Sequence, residues 1–550
     1  MNKQWWKDAV IYQIYPRSFK DSNGDGIGDL PGIISKLDYL ETLGVDLIWM
    51  SPIFQSPNAD NGYDISDYRD IMDEFGTMDD IDRLIREAHQ RNIRVLLDVV
   101  LNHTSNEHEW FVNSRASKDN PYRDFYFWKD GKDGAPPNNW TSFFEGSAWE
   151  WDDRTQQYYL HYFVKQQPDL NWEFPPVRKE MVDLLRFWLD RGVDGFRLDV
   201  LPLISKRTAF EDTPHPVFLD TIKNVYANGP RIHEFLHFLH QRVWSQYDCF
   251  TMGEGIGVPS DLDSEYVDQS REELNTIYHF DHLFLNNGPG GKFDVVPVDY
   301  QRFKDIFFEW DRALGETGWG VLCLGNHDFG RMTTHFGSLE YPQASAKLLL
   351  TILLTLRGTP IIYMGDELGM TNTHFTSIDE IDDVQTRNSY NAYLESGGNP
   401  ADFMKAANVN SRDHVRTPMP WNAGRQGGFT SGDPWLALNP QYPSVNVEVQ
   451  LADPDSVLNY CRQLIALRKR TEVLRSGSLK PVPTNSDRLF AYRRESESAS
   501  VLVLHNMSDD PQQLTAGQSS AVLISTHSEV RMENGVVNLE PWQSVVLDVR

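Results

Sequence analysis

The stretch DGFRLDV, Asp194 to Val200, reads as a short strand with two unlike faces. Residues two apart in a strand point the same way, so Arg197 and Asp199 share one side while Phe196, Leu198 and Val200 share the other. Burying a charge pair costs several kcal/mol per ion before any compensation, so a structural ion pair is a weak explanation for it. A site at the carboxyl end of this strand explains it at least as well.

Seven other apolar runs end in polar residues in the same way: 9–15, 45–50, 94–100, 249–254, 276–281, 321–326 and 360–365. Segments of helical periodicity follow, clearest at 32–44, 78–92, 177–192, 231–244 and 454–470. Eight strand-then-helix units predict an α/β fold, a (β/α)8 TIM barrel. Two connections are too long for ordinary barrel loops, one from about Thr104 to Phe174 and one from about Gly369 to Asp453. Beyond about Ser476 alternating strands predict a C-terminal all-β sandwich domain. The expected division is therefore a catalytic barrel over 1–103 and 175–475, carrying an insertion at about 370–453. A loop-rich subdomain over 104–174 follows strand three, and a β domain covers 476–550.

Composition narrows the partners. Lys and Arg total 51 against 79 Asp and Glu, a net charge of −28 that argues against nucleic acid and anionic membrane and fits a small neutral substrate. Cys249, Cys323 and Cys461 lie in apolar or helical patterns without metal-ligand spacing and read as reduced core residues. The first residues lack the apolar core of a signal peptide, and the longest apolar run, 348–356, is too short to span a bilayer. A cytoplasmic protein, a monomer or weak homo-oligomer, is expected.

In a barrel of this type chemistry sits at the carboxyl ends of the strands. Strand three ends in Asp98, Asn102 and His103, strand four in Arg197 and Asp199, strand five in Glu254, and strand seven in Asn326, His327 and Asp328. Carboxylates on facing strands suit glycoside chemistry, where one attacks the anomeric carbon and a second, kept protonated, serves the leaving oxygen. Metal-assisted hydrolysis is the rival, but the spacing lacks a metal-ligand signature and the neighbouring arginine would repel a cation.

The motifs GVDLIWMSPIF, NGYDISDY, DVVLNHTS, QPDLNW, GFRLDV, MGEG, GNHD, GTPIIYMGDELGM and SRDHVRTPMPW, in this order, resemble the alpha-amylase family of glycoside hydrolases, in its oligo-1,6-glucosidase and alpha-glucosidase branch. The resemblance implies Asp199 as nucleophile, Glu254 as general acid/base and Asp328 as the third carboxylate, gripping sugar hydroxyls. Arg197 would keep Asp199 ionised, and His103 and His327 would bind hydroxyls of the glucose being cleaved. Asp60, Tyr63, Phe144, Phe163, Gln167 and Arg412 match the family's pocket, with Asp60 and Arg412 holding the non-reducing end. Val200, directly after the nucleophile, matches the position whose valine accompanies α-1,6 preference. The implied activity is an exo-acting, retaining α-glucosidase on isomaltose-type oligosaccharides.

No cofactor for catalysis is expected. The loop DSNGDGIGD offers Asp21, Asn23, Asp25 and Asp29, but Gly32 stands where an EF-hand needs its bidentate Glu. The resemblance implies a structural Ca2+ or Mg2+ held by Asp21, Asn23, Asp25, the Ile27 carbonyl and Asp29. Two segments depart from the branch, FGRM after Asp328 and GIGV after Glu254, and the resemblance implies that both touch the leaving-group side. An α-1,4-preferring or transglycosylating enzyme, or one acting on sucrose or trehalose-type glucosides, is the alternative. The arginine-rich isomerisation loop of sucrose isomerases has no counterpart here. A non-enzymatic relative serving as an interaction module is the rival of another class; the intact carboxylate trio argues against it.

Overall fold

The computed structural model describes residues 4–214, 218–517 and 521–549. Eight parallel strands form the central sheet: β1 (Ile11–Ile14), β2 (Leu47–Met50), β3 (Arg94–Val100), β4 (Gly195–Asp199), β5 (Phe250–Glu254), β6 (Thr276–Tyr278), β7 (Val321–Leu322) and β8 (Thr359–Tyr363). They pair in the order β6-β5-β4-β3-β2-β1-β8-β7. A parallel bridge between Ile277 and Gly320 joins the two outer strands and closes the cylinder. All eight predicted runs become barrel strands.

The strands are buried along nearly their whole length because helices cover them outside and side chains fill them inside. The helix Met78–Gln90 starts at a capping box between Thr77 and Asp80 and buries Ile81, Leu84, Ile85 and Ala88 at helical spacing. The predicted helix over 32–44 is two, Leu30–Ile34 and Leu37–Leu43, because Lys36 leaves helical geometry between them. At the start of β4 the chain needs glycine: Gly195 has φ +152, and a Cβ there would meet the Phe250 carbonyl oxygen of β5 at 1.9 Å.

Between β3 and β4 the insertion builds a three-stranded antiparallel sheet from Trp128–Lys129, Gln157–Leu160 and Trp149–Asp152. It has its own small core, in which Phe127, Trp140, Phe144 and Phe163 pack with Val200, Leu203, Ile222 and Tyr226 from the segment after β4. The insertion after β8 is more regular than its composition implies, holding helices Val384–Glu395, Pro400–Asn410 and Val447–Ala452. The C-terminal residues form a five-stranded and a three-stranded antiparallel sheet, with Leu489, Leu502, Leu504, Val537, Leu539 and Val545 buried in one cluster.

One local expectation fails. Val200 does not continue β4 as an outward-facing residue; the strand ends at Asp199 and Val200 adopts φ 36, ψ 39. The left-handed region is strained for a β-branched side chain, and the turn carries Val200 into the site.

Candidate active site

The carboxyl ends of the strands open into a cavity of about 440 Å³. Asp199, Glu254 and Asp328 line it together, with Asp60, Tyr63, His103, Phe144, Phe163, Val200 and Arg412. Gln167, Arg197 and His327 stand one layer behind. Gln167 Nε2 donates to Asp60 Oδ2 at 3.2 Å and lies 3.2 Å from His103 Nε2. His327 stacks on Tyr63 with centroids 5.4 Å apart, and Gln13 Nε2 lies 2.8 Å from its Nδ1. The other ring nitrogen, Nε2, lies 2.7 Å from Tyr63 Oη and 3.2 Å from Asp328 Oδ2.

Arg197 is fully buried and is shared more widely than the sequence implies. Its Nη1 donates to Asp98 Oδ1 at 2.8 Å and Asp199 Oδ1 at 2.6 Å, its Nη2 donates to Glu254 Oε2, and Nε and Nη2 both reach Tyr278 Oη. The backbone N–H of Val200 also donates to Glu254 Oε2, at 2.8 Å. Two donors therefore converge on one oxygen of Glu254, leaving Oε1 free to carry a proton.

Burial drives the Asp199 carboxyl well above its usual range; Arg197 pulls it down, and Glu254 and Asp98 push it up again. Arg197 thus favours the charged form of Asp199 but does not outweigh burial. Glu254 is likewise raised by burial, against the pull of Arg197 and the Val200 N–H and with repulsion from Asp328. Two raised carboxyls on one arginine titrate as a pair. Asp328 is the opposite case: burial opposes its ionisation, but His327, Arg412 and Arg416 hold it well below the usual carboxylate range. His103, buried and near Lys206, is pushed down to about 3.

Ion pairs converge in the cavity wall around Arg412. Arg412 Nη2 meets Asp60 Oδ1 at 3.1 Å, its Nη1 meets Asp328 Oδ1 at 3.3 Å, and its Nε donates to Asp383 Oδ1 at 2.7 Å. Arg416 adds a 3.2 Å contact to Asp328.

Residues 13–477 match the alpha-amylase catalytic domain, and residues 489–546 match the C-terminal domain of the alpha-amylase SusG. The chain belongs to the alpha-amylase family. It is 46% identical over 560 residues to an oligo-1,6-glucosidase of Parageobacillus thermoglucosidasius, covering all of both chains. It is 48% identical over 510 residues to one of Halalkalibacterium halodurans, covering 92% of this chain and 91% of that one. Among solved structures it resembles the trehalulose synthase MutB of Pseudomonas mesoacidophila, with 44% identity, a TM-score of 0.96 and 99% of each chain covered.

This alpha-amylase family member uses site residues that its sequence did not single out. Tyr278 braces Arg197 from β6, and Asp383 braces Arg412 while capping the helix Val384–Glu395. Arg416 follows Arg412 by one helical turn, the only local signal for it. Buried Lys206 pairs with Asp169 of the first insertion at 2.6 Å, and Asn102, which accepts a hydrogen bond from Lys206, lies 3.1 Å from His103.

The loop Asp21–Asp29 turns its side chains inward. Asp21 Oδ1 accepts from the N–H groups of Asn23 and Gly24, Asp25 Oδ1 accepts from that of Ile27, and Asp29 accepts from Ser22 and Gly32. Among the described residues no group of three or more His, Cys, Asp or Glu side chains is arranged to hold a metal ion. The donors are nevertheless all oxygen, the chemistry a hard divalent cation takes.

Proposed function

We propose that this glycoside hydrolase is an exo-acting, retaining α-glucosidase that releases glucose from the non-reducing end of short α-glucosides, with preference for α-1,6 linkages. The observation that carries the reading is the ion-paired cluster of Arg412, Asp60 and Asp328 in the wall of the cavity that Asp199 and Glu254 also line. Such a cluster offers charged groups to the hydroxyls of a terminal sugar. The oligo-1,6-glucosidases at 46% and 48% identity support the same linkage.

Asp199 attacks the anomeric carbon while Glu254, protonated at Oε1, gives its proton to the departing oxygen as the glycosidic bond breaks. Water then attacks the glucosyl-Asp199 ester, Glu254 takes its proton, and α-glucose leaves. Ionised Asp328 holds ring hydroxyls in both steps. Val200 sits where the leaving group departs, and a methyl-sized change there is worth about 1–3 kcal/mol of discrimination.

The test is kcat/KM on isomaltose and maltose, with the anomer of the first product read by NMR. Isomaltose is expected to win, the first glucose to be α, and Val200→Thr to move the ratio toward maltose. A maltose preference in the wild type, a β product, or a ratio that Val200→Thr leaves unmoved would each remove the corresponding part of the reading.

A structural Ca2+ or Mg2+ is proposed at Asp21, Asn23, Asp25, the Ile27 carbonyl and Asp29. Gly26 presses this loop onto the insertion after β8, since a Cβ there would meet the Asp433 carbonyl oxygen at 1.9 Å. An ion in the loop would therefore tie two parts of the chain together. Chelation is expected to lower Tm by a few degrees and added Ca2+ to restore it; a Tm indifferent to both rejects the site. Three buried, unpaired thiols support a reducing, cytoplasmic setting. Among the described residues no helix is long and apolar enough to cross a membrane.

A further inference from the structure

The leaving-group side of the cavity differs in character from the glucose end. Val200, Ile222, Ile256, Phe280, Phe284 and Phe329 line it. Phe329, which follows Asp328 in the divergent FGRM segment, is stacked on Phe280 with centroids 5.6 Å apart and meets Phe284 edge-on at 5.5 Å. Phe280 and Phe284 are themselves 6.1 Å apart, so the three rings form one continuous wall. Ile256 lies in the other divergent segment, GIGV, directly after Glu254 and Gly255.

Polar groups on this side are confined to the hairpin Asn287–Val295 and its neighbour Gln385, and most are already engaged. Lys292 Nζ donates to the Asp328 carbonyl and to Gln385 Oε1, both at 3.0 Å, and Asn287 Oδ1 accepts from Asn410 at 3.3 Å. A second sugar ring can lay its C–H face on this wall, but its edge hydroxyls have only these few groups and water to bond. An apolar chain asks for no such partners.

We infer that the leaving-group subsite takes apolar primary alcohols, so that the enzyme hydrolyses n-alkyl α-glucosides with a rate that rises with chain length. The inference rests on the α-glucosidase reading and extends its substrate class. An n-alkyl glucoside presents the same CH2–O group beside the scissile bond as an α-1,6-linked sugar. It then continues as hydrocarbon where the wall is hydrocarbon. The chemistry is unchanged: Asp199 forms its bond to the anomeric carbon, the bond to the alkyl oxygen breaks, that oxygen takes the Glu254 proton to leave as the alcohol, and water completes hydrolysis.

The experiment compares kcat/KM for methyl, propyl and hexyl α-glucosides with isomaltose, in the wild type and in Phe329→Gln and Phe329→Leu. The leaving alcohols have similar acidity, so chain length reports the subsite rather than the chemistry. A fully buried methylene contributes about a fourfold gain, and with partial burial hexyl is expected to exceed methyl by roughly 30-fold. Phe329→Gln should cut that ratio at least about tenfold, and Phe329→Leu should restore most of it. A flat wild-type series, or a ratio that Phe329→Gln leaves unmoved, overturns the inference. Glucose released from isomaltose without chain-length dependence overturns it alone; no glucose from any of the four substrates overturns the α-glucosidase reading with it. The wild-type series decides the matter even where a variant does not fold.

Discussion

Replacing Asp199 by asparagine is expected to lower kcat/KM on every α-glucoside by on the order of 10⁴-fold or more, the scale on which a covalent nucleophile acts. The amide keeps the shape of the carboxyl but cannot form the ester. Glu254→Gln is expected to behave differently. On the proposed mechanism it removes a proton donor, a contribution of about 10²–10⁴-fold, and only where the leaving group needs protonation. Isomaltose should therefore lose most of its turnover, while a nitrophenyl α-glucoside, whose phenolate leaves unaided, should form the glucosyl-enzyme at a rate close to the wild type. Pre-steady-state release of nitrophenol separates the two steps. Equal loss on both substrates would assign the proton to another group.

Arg197→Gln is expected to destabilise the protein by about 3–5 kcal/mol, because it leaves buried carboxylates without their shared cation. Arg197 touches Asp98, Asp199 and Glu254 at once and is itself without exposure. The loss should depend on pH. With the arginine gone, the folded-state pKa values of Asp199 and Glu254, already raised, rise further above their unfolded values. The folded state then binds protons that the unfolded state does not, so stability is retained at acidic pH and falls as pH rises through the folded pKa. Urea midpoints of the variant measured at mildly acidic and mildly alkaline pH test this. A larger deficit on the acidic side would contradict the assignment of Arg197 as their common partner.

The barrel was legible because its strands are short, apolar and separated by helices, a grammar that local periodicity records. The strand-end carboxylates were legible for the same reason, since position along each strand locates them at the polar face. Other features leave no local trace. The turn at Val200 puts a β-branched residue where propensity disfavours it, and only the demand for its N–H at Glu254 and its packing against the first insertion accounts for it. Asp383 reads as an ordinary helix cap in sequence, which it also is; its bond to Arg412 spans 29 positions. Tyr278 is one strand residue among many until the barrel closes and brings β6 beside β5. The loop Asp21–Asp29 shows the converse, a pattern conspicuous in sequence whose side chains are turned to the loop's own N–H groups.

The small core shared by the first insertion and the segment after β4 bears on how such an enzyme can change. Phe144 and Phe163 reach the cavity from the insertion, Val200 and Ile222 reach it from beyond the nucleophile, and all four pack in the same cluster. The insertion is thus not a cassette. Transplanting it from a relative would place foreign aromatic rings against a resident Val200, and exchanging Val200 alone would disturb Phe144 and Phe163. Selection for a new linkage can begin at Val200, but each step there is felt across the joint between the two stretches of chain, and the rings opposite must adjust to it.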